Sequence, residues 1–271
     1  FLSIYYMFSS HKIVVFDLDE TLGYFTQLGI FYDCLNNYLN DELSLSENEN
    51  FNAVMDLYPE VIRPKMESIL QYLKMKKKNH QCSKIMIYTN NQGPKSWASN
   101  IIQYFENKLN EKIFDQIICA FKVRGQRVEV NRTSNSKSHD DLIKCTKLPS
   151  DTEICFIDDI YHKGMEHDKV YYINVKPYVH SIEYTDMIKR YLSSKLGNKI
   201  KNKTLFMKKM TDEINKYNYH PPVKSQDELA IDNIIGKKIL QHLKQFFFEH
   251  NNKTIRRKSK KQHGTLKKKN R

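Results

Sequence analysis

The chain has no apolar run approaching the length of a membrane span, so no membrane contact is expected of it. It also has no Cys-x-x-Cys pair: its five cysteines, Cys34, Cys82, Cys119, Cys145 and Cys155, are scattered and odd in number. That pattern speaks against a disulfide framework and a zinc site, and fits a reducing intracellular compartment, nucleus or cytoplasm. The opening stretch from Phe1 to Phe8 is apolar but lacks a basic n-region and a small-residue cleavage site, so no signal peptide is expected there. No internal repeat is visible. Acids are missing from the last stretch: Asn251 to Arg271 contains ten Lys or Arg and no Asp or Glu, and so supplies most of the formal net charge of +13. The remaining body is close to neutral, and a hydrophobic content of 40% is enough for a packed core.

What is present centres on Lys12-Ile13-Val14-Val15-Phe16-Asp17-Leu18-Asp19-Glu20-Thr21-Leu22. Ile13 to Phe16 is a β-branched apolar run, as expected of a parallel strand covered on both faces. Such strands carry sites beyond their carboxyl ends, which places Asp17 and Asp19 in one cavity. Acids this close repel unless a cation or a shared proton relieves them. One then suits a nucleophile and the other a proton donor, with a divalent metal between them. An Asp-x-Asp pair alone equally suits a loop cap.

Two more strands of the same kind follow. Lys84 to Tyr88 ends in Thr89-Asn90-Asn91-Gln92-Gly93, where a Thr hydroxyl and the next backbone N–H can hold a phosphoryl oxygen or simply shape a turn. Glu153 to Ile157 ends in Asp158-Asp159, a pair too costly to bury without a cation or hydrogen bonds. Oxygen donors with no His or Cys cluster nearby favour magnesium over zinc. Further strands are expected at Phe114–Phe121, Gln126–Val130 and Lys169–Val175. Helices are expected from Met66, from Trp97 to Leu109, from Asp140 and from Ile182 to Leu196.

Asp17-x-Asp19-x-Thr21 resembles the first motif of the haloacid dehalogenase (HAD) superfamily phosphatases. The fuller Asp-Leu-Asp-Glu-Thr-Leu, together with Arg63-Pro64, is similar to the FCP/SCP-type, NLI-interacting-factor-like branch. The resemblance implies an α/β fold, a Rossmann-like parallel sheet with helices on both faces. It also implies a magnesium-dependent phosphomonoesterase that acts on phosphoserine or phosphothreonine in proteins, as RNA polymerase CTD phosphatases do. In that scheme Asp17 is the nucleophile and Asp19 the acid and base. Thr21, Thr89, Asn90 and Lys137 hold the phosphoryl group. Asp17, Asp158, Asp159 and, through a backbone carbonyl, Asp19 hold the metal. Lys144 competes with Lys137 for the third-motif position. Two other readings stay open. Thr89-Asn90-Asn91-Gln92 is also similar to the Thr-Asn-Gln of polynucleotide 3'-phosphatases, and a non-catalytic scaffold on the same fold would act through its basic tail.

The expected organisation is a HAD-like domain over 10–197, with 25–60 as an exposed insertion or small cap, a helical extension over 198–250, and a disordered basic tail over 251–271 able to touch nucleic acid. Within the extension, Thr204–Tyr217 and Gln226–Phe248 read as amphipathic helices split by His220-Pro221-Pro222. Their apolar set, including Ile239, Leu243, Phe246 and Phe247, is expected to pack on the core or on a second copy.

Overall fold

A computed structural model describes residues 11–43, 49–220 and 222–266. Five parallel strands make the central sheet: β1 (Lys12–Phe16), β2 (Lys84–Tyr88), β3 (Phe114–Ile118), β6 (Glu153–Asp158) and β7 (Val170–Asn174). The two-residue strands β4 (Lys122–Val123) and β5 (Gln126–Arg127) form a separate antiparallel hairpin, so the expected strand Gln126–Val130 is cut short after Arg127. The sheet order is β3-β2-β1-β6-β7. The chain therefore winds outward one way from β1 and then returns to its other side, and the strand order reverses between β1 and β6. In open α/β sheets the crevice at that reversal is where ligands bind.

Period-two alternation divides β1 between two cores. Val14 and Phe16 face the larger one, with helices α1 (Thr26–Leu43), α3 (Met66–Lys78), α4 (Lys95–Leu109) and α6 (Tyr184–Ser193). Ile13 and Val15 face the smaller one, under α5 (His139–Thr146). The fold is thus α/β, with a parallel sheet flanked by helices, as the sequence led us to expect.

Its outer parts bear on three expectations. The 25–60 segment contributes to the core, and of the stretch expected to be exposed, Tyr38–Asn50, residues 44–48 lie outside the described residues. Leu28, Phe31, Leu35 and Leu39 on α1 are buried, and the short helix α2 (Phe51–Met55) buries Phe51, Val54 and Met55. The exposed Asp33, Asn37 and Asn40 lie on the opposite face of α1, so polar residues there accompany a buried face. The extension packs on the core, one of the two placements expected of it. Phe206, Met210 and Ile214 of α7 (Lys203–Lys216) and Ile239, Leu243, Phe246 and Phe247 of α8 (Gln226–Leu266) join the same large core. At about 1.5–3 kcal/mol per buried side chain, the four residues of α8 alone supply roughly 6–12 kcal/mol of docking as an upper bound. Finally, α8 continues past Phe248 to Leu266, through residues expected to be disordered; Lys, Arg and Gln are good helix formers and no Pro interrupts them. Residues 267–271 of that tail lie outside the described residues. Among the described residues, no helix is long and apolar enough to cross a membrane.

Candidate active site

Strand register assembles the site. Phe16 pairs with Ile87 of β2 on one side and with Ile157 of β6 on the other, so Asp17, Thr89 and Asp158 all leave the sheet at one edge. The backbone N–H of Asp17 still donates to the Ile157 carbonyl at 2.9 Å, which fixes the nucleophile candidate as the last paired residue of β1. Glu20 then takes a left-handed conformation (φ 57°), and its N–H closes on the Gly23 carbonyl at 2.7 Å. The tight turn that results brings Asp19 back over the strand ends. Gly23 is required there because a Cβ would come within 2.5 Å of the Val61 carbonyl oxygen.

Of the two candidate lysines, Lys137 is the one that reaches these acids. Its ammonium donates to Asp17 Oδ1 at 2.5 Å and to Asp158 Oδ2 at 2.6 Å, and the residue is 1% exposed. Lys144 is exposed on α5. The buried cation answers the question raised by acids at neighbouring strand ends: it sits between them. Even so, burial pushes the Asp158 carboxyl above the usual carboxylate range, with Lys137 opposing and Asp17 reinforcing the shift.

The loop that delivers Lys137 is pinned from several sides. Asp141, 1% exposed, accepts from the Thr133 N–H at 2.8 Å and its hydroxyl at 3.0 Å. The His162 ring accepts from the Lys137 N–H at 3.4 Å. Gly164 lets the 163–165 turn approach, since a Cβ would meet the Lys137 carbonyl at 2.9 Å. Burial and the neighbouring cations Lys137 and Arg132 hold His162 down at about 4, so it stands neutral beside Asp158.

The remaining candidates divide. Asp17, Asp158 and Asp159 each offer an oxygen within 4.8 Å of the others, a hard-oxygen cluster that fits a magnesium-like cation. The Asp19 carboxylate is outside that cluster, directed by the turn at Glu20 to Asn91 Nδ2 at 2.7 Å, whereas the ligand expected at this position is a backbone carbonyl. Burial first, and Asp17 in addition, raise Asp19 to about 6 despite the Asn91 hydrogen bond. Thr21, expected on phosphate, is fully buried and grips Asp159: its hydroxyl donates to Oδ1 at 3.0 Å and accepts from the Asp159 N–H at 3.1 Å. Thr89 accepts from the Asn91 N–H at 3.0 Å, which leaves its hydroxyl proton free to donate. Asn90 turns away, its Oδ1 accepting from Arg132 at 2.7 Å.

Two buried arginines brace these loops, and only one drew attention in the sequence. Arg63 donates to the carbonyls of Thr21 at 2.6 Å, Glu20 at 2.5 Å and Lys176 at 2.9 Å, so it holds the first-motif turn from behind. Arg132, fully buried, donates to the carbonyls of Thr89 at 3.0 Å, Cys119 at 2.8 Å and Asn135 at 3.1 Å. It thereby ties the ends of β2 and β3 to the Lys137 loop. In the sequence Arg132 stands in a polar loop and reads as one more solvated cation. Asn91 was equally hidden, one position beyond the residue expected to act. Compared with models of known protein families and with curated proteins, the chain matches none.

Proposed function

We propose that the chain is a phosphomonoesterase of the HAD type that works through an aspartyl-phosphate and draws its substrates from phosphoproteins. The observation that carries this reading is Lys137, buried and shared between Asp17 and Asp158 at the carboxyl edge of the sheet. A buried ammonium between two carboxylates, with hard-oxygen donors around it, suits a pocket for a doubly charged phosphoryl group and a cation.

An Asp17 carboxylate oxygen attacks phosphorus and forms a P–O bond as the bond to the substrate oxygen breaks. Asp19, raised by its burial to about 6 so that a fraction carries a proton near neutrality, gives that proton to the leaving oxygen. Water then attacks phosphorus, Asp19 takes the water proton, and inorganic phosphate leaves with Asp17 regenerated. Lys137 and the Thr89 hydroxyl hold phosphoryl oxygens throughout. Asp17, Asp158 and Asp159 would hold magnesium, which supplies charge neutralisation at those oxygens.

The test is magnesium-dependent hydrolysis of para-nitrophenyl phosphate. Asp17→Asn, nearly isosteric, is expected to lower turnover at least about a thousandfold while the protein stays folded by circular dichroism. Turnover within tenfold of the parent would overturn the assignment.

A further inference from the structure

A groove of about 690 Å³ opens from Asp19 and runs between α1 and α4. Its position gives it a chemical meaning. In the reaction proposed above, Asp19 protonates the leaving oxygen, so the alcohol that carried the phosphate lies on the Asp19 side. The groove beyond Asp19 is where the rest of that alcohol must go.

One wall is a polar stripe on α1. Thr26, Gly29, Asp33, Asn36, Asn37 and Asn40 recur at three- and four-residue intervals and all line the groove. From Thr26 to Asn40 the stripe spans about 21 Å of helix axis, the length of about six residues of extended chain. The other wall comes from the start of α4, with Trp97 and Asn100, and from Asn91, which is bonded to Asp19. Trp97 lies close over α1: a Cβ on Gly29 would be 3.3 Å from its ring, so the absence of a side chain there brings the indole against the helix. The groove thus has an aromatic surface and amide side chains able both to donate and to accept. Its charge is one-sided. Asp19 and the exposed Asp33 are acids, and among the described lining residues there is no Lys or Arg.

We propose, resting on the phosphatase reading, that this groove seats an extended segment of a phosphoprotein carrying Lys or Arg near the phosphorylated residue, and that Asp33 selects for that positive charge. Amides satisfy the main chain of an extended peptide, and the groove length matches several residues and not a lone phosphoamino acid. The charge disfavours a polynucleotide, whose further phosphates would meet carboxylates where nucleic-acid grooves present cations.

The test compares phosphoserine hexapeptides flanked by Arg with the same peptides flanked by Glu, alongside para-nitrophenyl phosphate and a 3'-phosphorylated oligonucleotide. The Arg peptides are expected to have the higher kcat/KM, and Asp33→Lys to lower their advantage by about tenfold. Hydrolysis of the aryl phosphate is expected to stay within twofold, because Asp33 is outside the catalytic group. No advantage of the Arg peptides in the parent, an advantage of the same size in Asp33→Lys, or better turnover of the oligonucleotide overturns the proposal. If the aryl phosphate is not hydrolysed, the phosphatase reading fails separately. Fluorescence anisotropy of a labelled Arg-flanked phosphopeptide on the parent and on Asp33→Lys then still decides the groove: tighter binding to the parent supports it, and equal or absent binding overturns it.

Discussion

After β1 the two acids are separated by Leu18, and after β6 they are adjacent, and the structure relieves their repulsion in different ways. Behind β1 the chain turns through the left-handed Glu20, so Asp17 remains on Lys137 while Asp19 is carried away to an amide. At the end of β6 the alternation of the strand separates neighbours. Asp158 points to Lys137 and Asp159 to the Thr21 hydroxyl. One end uses a turn and a neutral partner, which leaves Asp19 raised to about 6 and so able to carry a proton. The other keeps both acids beside Asp17, as a cation site requires. On the proposed reading, the arrangement at one strand end serves acid–base chemistry and that at the other serves metal binding.

The most severe way to break this arrangement is to remove the cation common to both ends. Lys137→Met preserves much of the side-chain volume but leaves Asp17 and Asp158 buried without their partner. Loss of one member of a buried ion pair costs about 3–5 kcal/mol. Urea unfolding in metal-free buffer is expected to show a loss of that size. Adding Asp158→Asn should recover much of it, and adding Asp19→Asn should recover little. Equal recovery by the two would erase the distinction between the strand ends.

A second measurement isolates Asp19. Its folded value of about 6 lies above the ordinary 3.8, so between those values the folded protein binds more protons than the unfolded chain. Stability contributed by this group is therefore fully present below about pH 4 and falls as pH rises to about 6, by about 3 kcal/mol at 1.4 per unit. In a chelator-containing buffer, the parent minus Asp19→Asn difference in unfolding free energy should show that decline. A flat difference over the same range would mean that Asp19 is ionised throughout and poorly suited to protonate a leaving group.

Much of this was legible beforehand because it rests on local patterns. The strands ending at Asp17, Thr89 and Asp158 were visible as short β-branched runs, and their parallel pairing follows from the helices between them. What was not legible depends on tertiary direction. A polar segment such as Thr26 to Asp41 conceals a buried face when its apolar residues fall at helical spacing, and α1 proved to be groove wall and core together. Arg132 gives no sign in sequence that its guanidinium will be fully buried and bonded to three backbone carbonyls. Thr21, Asn90 and Asn91 were within a residue or two of the chemistry, yet which way each points is decided by the turns at Glu20 and Gly93, not by residue type.

The smallest expected effect discriminates best at the β6 end. Thr21 serves Asp159 through two hydrogen bonds and touches neither Asp17 nor Lys137 in any hydrogen bond, so its hydroxyl acts on one acid alone. Thr21→Val keeps the shape and removes both bonds, leaving the half-buried Asp159 free to rotate and its N–H without that acceptor. Stability should fall by only about 1–2 kcal/mol. Magnesium affinity, read by calorimetric titration, should weaken by about tenfold or more, as is usual when a partner that orients a metal ligand is lost. Thr21→Ser keeps the hydroxyl and should restore most of the affinity, while the pH decline assigned to Asp19 should be unchanged in both variants. If Thr21→Val instead shifts that decline, the two strand ends are coupled through the first-motif turn, and the separation of acid–base and metal roles between them fails.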